Sequence, residues 1–99
     1  MINNIYSLEL NTEKPAVQVL HRSDKVQVTA IGLLRGQLLK KHLTSNPAMI
    51  CVVEGTLDFQ TETESISLRS GDTMDIPVDI PHEVTGMDDR NVFLLIRES

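Results

Sequence analysis

Two histidines, His42 and His82, stand 40 positions apart, each inside a glycine-punctuated segment of β-type sequence. Gly36 precedes His42 by six positions and Gly55 follows it by thirteen; Gly71 precedes His82 by eleven, with Pro77 between them. Imidazole donates, accepts, ionises near neutral pH and ligates metals, so two rings converging inside a small barrel would form a chemically competent site. Thr44 adds a hydroxyl two positions after His42. If side-chain parity runs unbroken, Ala48, Ile50, Val52, Leu57, Phe59, Met74, Ile76 and Val84 face the same interior. An apolar wall with a few placed polar groups is the character of a ligand pocket, and also of a filled core. The expected pocket therefore comprises His42, Thr44, Ala48, Ile50, Phe59, Met74 and His82, with His42 and His82 as the metal-ligating pair if a metal binds.

Other reactive residue types read more plainly. His21 lies beside Arg22 near a turn at Ser23-Asp24 and is expected on the solvated surface. Lys40 shares parity with His42 and reads as a surface lysine. Cys51 lies within the run MICVV with no histidine beside it, which describes a buried inert thiol rather than a nucleophile. Asp72, Asp75, Asp79, Glu83, Asp88 and Asp89 fall at turns or alternate outward and form a solvated rim. Phosphate loop, serine elbow and zinc-ribbon spacing are all missing.

The elements that must position the histidines follow a period of two. Val26, Val28 and Ala30 alternate with Gln27 and Thr29; Ile66 and Leu68 alternate with Ser65, Ser67 and Arg69; Met74 and Ile76 alternate with Thr73 and Asp75. Segments 49–53 and 91–96 are continuously apolar and rich in β-type residues, as in buried strands. Turn residues recur at 13–15, 23–24, 45–47, 54–55, 61–65, 71–72, 77–81 and 86–90. Seven to nine short strands in this pattern make an antiparallel sandwich or barrel with little or no helix. Residues 33–43 are the best helix candidate, with Leu33, Leu34, Leu38 and Leu39 at helical spacing. Gly36 inside that stretch costs about 1 kcal/mol relative to alanine, which favours a strand. Met49 and Cys51 take the opposite parity and are expected to pack against a second sheet or a partner subunit.

With 99 residues the chain is expected to form one domain, residues 1–99, around one core. Only 3% of residues are aromatic, so aliphatic side chains and methionine must fill that core. No apolar run approaches the roughly 20 residues of a membrane helix, and the N-terminus lacks the basic and apolar regions of a signal peptide. A single cysteine without an export signal fits a reduced, cytoplasmic protein. The net charge of −5 argues against nucleic acid and anionic membrane as partners. The charge is also uneven: residues 1–53 hold six Lys/Arg against three Asp/Glu, and residues 54–99 hold three against eleven.

The pattern over residues 36–86 resembles the cupins, small β-barrel proteins of jelly-roll type. Their first motif is matched by Gly36, His42 and Gly55 in register, with Thr44 at the second histidine position and Ala48 at the glutamate position. The second motif is matched by Gly71, Pro77 and His82, with Asp79 in place of a glycine and Gly86 in place of an asparagine. The resemblance implies an all-β, antiparallel jelly-roll barrel. In metal-binding cupins three histidines and the glutamate hold a divalent ion such as iron, manganese, nickel or zinc. Two of those four ligands are replaced here, and two imidazoles make a weak site. The first functional expectation is therefore a small-molecule binding or sensing barrel with a reduced two-histidine site and no firm cofactor. The alternative is a metal-dependent enzyme of oxygenase or isomerase type using His42 and His82. A third is a scaffold that only supports a homodimer, which the resemblance also implies.

Overall fold

The period-two segments assemble into two antiparallel sheets. This computed structural model describes residues 2–42 and 45–99, the side chains of Lys41 and His42 excepted. A short 3-10 turn at Ile5–Ser7 is followed, among the described residues, by nine strands. These are β1 (Ala16–Arg22), β2 (Val26–Leu34), β3 (Leu38–His42), β4 (Ala48–Glu54), β5 (Thr56–Gln60), β6 (Ser65–Arg69), β7 (Thr73–Ile76), β8 (His82–Gly86) and β9 (Arg90–Glu98). The larger sheet has the order β1-β2-β9-β4-β7 and the smaller one β3-β8-β5-β6. Neighbours in the sheets are mostly distant in sequence: β2 pairs with β9, and β3 with β8. That is jelly-roll connectivity, in which the chain crosses repeatedly from one sheet to the other.

The segment 33–43 is strand, turn and strand. β2 ends at Leu34, Gly36 turns the chain at φ +80°, and β3 begins at Leu38 in the other sheet. The leucines with helical spacing are thereby divided between two sheets, because long-range pairing outweighs local spacing. One core fills the space between the sheets: Ile31, Leu33, Ile50, Val52, Leu57, Phe59, Leu68, Val84 and Phe93 are all buried in it. Ala48 and Ile76 also belong to it, and Met74 packs against it half-buried, as parity requires.

A second, smaller core lies on the outer face of the larger sheet. There Ala30 and Val92 are covered by Leu8, with Ile5, Leu10, Leu20 and Leu94 packed around them. The N-terminal segment thus serves as a cover strip. It packs so closely that a side chain at Gly32 would collide with Leu10. Arg90 fastens the strip: its Nη2 donates to the carbonyls of Leu8 at 2.8 Å and Tyr6 at 3.1 Å. Its Nε donates to Glu54 Oε1 at 3.1 Å, which orients the guanidinium. On the same face Met49 and Cys51 remain half-buried beyond the strip, and Cys51 is a free thiol.

Asn91 joins the sheets at the end opposite the histidines. Fully buried, it accepts at Oδ1 from the Thr56 and Asp88 N–H groups and donates through Nδ2 to the Leu33 and Asp88 carbonyls. Its neighbours must be glycines. A side chain at Gly55, which also sits at φ +82°, would strike the Arg90 carbonyl and Asn91 itself, and one at Gly86 would strike the Asn91 amide.

Candidate functional site

His82 opens β8 and is only 2% exposed. Pro81 precedes it and keeps Ile80 out of the helical region, so the chain enters the strand extended. Its Nδ1 lies 3.1 Å from the Ile80 carbonyl oxygen. A carbonyl only accepts, so Nδ1 carries a proton and donates it to Ile80, which fixes the direction in which Nε2 points. Phe59, from the neighbouring strand β5, stacks on the imidazole with centroids 5.0 Å apart and planes 20° from parallel. Ring direction and ring plane are therefore both set by groups the fold already supplies.

His42 stands directly across from His82 in the β3–β8 pairing. Residues opposite one another in an antiparallel pair have Cβ atoms about 5 Å apart. The pairing slips between Leu39 and His42, so the register that brings the two histidines level is achieved through an irregularity in the ladder. Of the other residues singled out in the sequence, Ala48 and Ile50 lie on β4 and Phe59 on β5, all buried, with Met74 on β7. Thr44 lies outside the described residues. His21 is an exposed residue of β1, in the larger sheet, and Lys40 is exposed on β3. Asn91 and Arg90 were not flagged as special by the sequence. A lone polar residue at a strand start reads as turn chemistry, and nothing in the one-dimensional pattern announces four buried partners.

The loop 77–81 forms a lip over this end of the molecule. Asp79 adopts φ +60°, the left-handed region that suits the family glycine it replaces, and its Oδ1 accepts from the Ser45 hydroxyl at 3.1 Å. Aspartate tolerates that conformation better than most residues. Val78 and Ile80 flank it, both exposed. Two shallow surface grooves lie at the same end. One, of about 500 Å³, is lined by Gln60, the 61–64 turn, Pro81 and Glu83. The other, of about 410 Å³, is lined by Pro47, Ala48, Met49, Ile76 and Val78.

Among the described residues no three His, Cys, Asp or Glu side chains come together to hold a metal ion. Ala48, at the position where the resemblance has a glutamate, contributes only a buried methyl, so among the described side chains His82 is the one imidazole at this end.

No family model matches the chain, and no curated protein matches it. Solved structures do. A cupin superfamily protein from Desulfitobacterium hafniense matches with a TM-score of 0.85 at 18% identity, over 95% of this chain and 85% of that one. A RmlC-like cupin protein from Desulfovibrio desulfuricans matches with a TM-score of 0.83 at 21% identity, over 98% and 94%. A conserved protein with a double-stranded β-helix domain from Klebsiella pneumoniae matches with a TM-score of 0.88 at 14% identity, over 98% and 88%. At these identities the likeness is one of fold: the chain has the cupin fold, an all-β double-stranded helix of antiparallel sheets.

Proposed function

We propose that this cupin-fold chain binds a small molecule at the His82 end of the barrel. The observation that carries the reading is the preorganised imidazole of His82, buried, stacked on Phe59 and tied at Nδ1 to the Ile80 carbonyl. A buried ring held in one plane and bonded through Nδ1 points its Nε2 in a fixed direction. It suits a ligand with a polar group and an apolar body. His42, Thr44, Ala48, Ile50, Phe59 and Met74 complete the proposed pocket, with His42 assigned by its register position opposite His82. Val78 and Ile80 stand exposed on the lip beside it.

The same Nδ1–H to carbonyl bond is also the way metal-ligating histidines are oriented, and this keeps the metal-dependent enzyme as the second reading. In that reading His42 and His82 bind a divalent ion (iron, manganese, nickel or zinc), with water or substrate filling the other positions. One experiment separates the two. Untagged protein is assayed for bound metal and then screened by thermal shift against a metabolite library. Metal-free protein stabilised by a metabolite, with the shift lost in His82→Ala, supports the binder. Stoichiometric metal lost in both His42→Ala and His82→Ala supports the enzyme. No metabolite shift and no metal would overturn both. A homodimer in a reducing cytoplasm belongs to the same reading, and light scattering that returns the 11.1 kDa monomer would remove it.

A further inference from the structure

The geometry points to a carboxylic acid as the ligand of this chain, its carboxylate met by Arg97 and Arg22 at the barrel rim and its apolar body directed inward. This deepens the reading above and rests on a small molecule binding at the His82 end. The larger sheet finishes at that end in one cross-strand row. Arg22 on β1 pairs with Gln27 on β2, Gln27 with Arg97 on β9, Arg97 with Ala48 on β4, and Ala48 with Ile76 on β7. Ile76 then leads through the 77–81 lip to His82. Side chains alternate along a strand, and residues directly opposite share a face. Ala48 and Ile76 belong to the inner core, and Gln27 and Arg97 stand an even number of positions from Ile31 and Phe93 of that core. The row therefore faces the barrel interior. The next row inward, Thr29, Leu95, Ile50 and Met74, is apolar except for one hydroxyl.

What this rim presents is a set of hydrogen-bond donors. Arg22 Nε donates to Gln27 Oε1 at 3.2 Å, and Gln27 Nε2 donates to the buried Thr29 Oγ1, also at 3.2 Å. The chain of bonds occupies the Gln27 and Thr29 oxygens as acceptors and leaves the terminal nitrogens of Arg22 and the Thr29 hydroxyl proton to donate. The Arg97 guanidinium has no side-chain partner among the described residues, and neither arginine is paired with a carboxylate there. The acidic groups nearby are turned elsewhere. Glu98 and Asp75 fall on the opposite face of the sheet, Asp24 lies in the turn between β1 and β2, and Asp79 accepts from Ser45. A rim made of donors selects a group that only accepts. A carboxylate is such a group, and its two oxygens match the paired N–H groups of a guanidinium. A neutral amide or alcohol would leave both cations unmatched. The apolar row behind suits a hydrocarbon body.

The probes are hexanoate, hexanol and hexyl phosphate, each titrated into the full-length chain and followed by amide and side-chain chemical shifts. Hexanoate is expected to move the Nε–H signals of Arg97 and Arg22 together with the signals of His82 and Phe59, and hexanol to bind at least tenfold more weakly. Arg97→Gln should weaken hexanoate at least tenfold and leave hexanol unchanged, a split that a damaged fold would not give. Arg22→Gln, on the edge strand, supplies the same test if Arg97→Gln disturbs the sheet. Raising NaCl from about 50 to about 500 mM should weaken hexanoate and not hexanol, because screening acts only on the charged probe. Hexanol binding as tightly as hexanoate, with shifts still at His82, would overturn the carboxylate and leave the small-molecule site standing. Hexanoate shifts confined to the arginines and unaltered in His82→Ala would overturn the site itself, and this proposal with it. No binding of hexanoate, or tighter binding of hexyl phosphate, would also overturn the proposal.

Discussion

At the scale of single residues, Asn91 carries more of the fold than its polar character suggests. Its amide satisfies two backbone N–H groups and two carbonyls drawn from β2, β5 and the 86–90 turn. Replacing it by leucine leaves those groups buried without partners, and the expected loss is about 2–4 kcal/mol, read from urea unfolding. His82 separates fold from function. His82→Phe retains an aromatic ring against Phe59 but loses the Nδ1 hydrogen bond and the polar Nε2. The expected outcome is a folded protein, weaker by about 1 kcal/mol, that no longer gains thermal stability from any metabolite the parent recognises. Asp79 holds a conformation that glycine would adopt with less strain. Asp79→Gly should raise stability by up to about 1 kcal/mol, offset in part by the lost Ser45 bond and the greater freedom of glycine when unfolded. A fall of more than that amount would show that the carboxylate matters to the loop beyond its backbone angle.

At the scale of elements, alternation specified what could be read directly. Residues 26–34 and 65–69 became β2 and β6 with those same bounds: in β6 only Leu68 is fully buried, while β2 carries the inner core on one face and the covered outer core on the other. Glycine-to-histidine spacing placed His42 and His82 in strands that could converge, but their direct register was not legible, because it passes through a slip between Leu39 and His42. The cover strip was not legible. Residues 5–10 carry no strand period, and their apolar side chains matter only because Gly32 and Ala30 leave a hollow on a distant sheet. Arg90 is likewise a strand-start arginine until the N-terminus folds back over it. Arg90→Ala removes three hydrogen bonds to the strip and to Glu54. It should speed amide exchange over residues 5–10 by at least tenfold while β4 and β9 stay protected. Unchanged exchange would mean that Leu8 and Leu10 hold the strip by packing alone.

At the scale of the whole molecule, the sheets are stitched from strands far apart in sequence, β2 to β9 and β3 to β8 above all. Loops must close before these pairings form, so refolding is expected in the millisecond-to-second range of β-sandwiches, measurable by stopped-flow dilution from urea. The two ends of the barrel are built differently. Asn91 and its two glycines close one end rigidly, while His82, the 77–81 lip and the shallow grooves occupy the other.

The strip fastened by Arg90 has a practical reach. Anything that peels away the first ten residues, a bulky fusion or a protease nick, would bare Ala30, Val92 and Leu94 to water along the middle of the larger sheet. A shaved molecule of this kind would keep its inner barrel but acquire a greasy flank, and would be expected to precipitate where the untrimmed one stays clear.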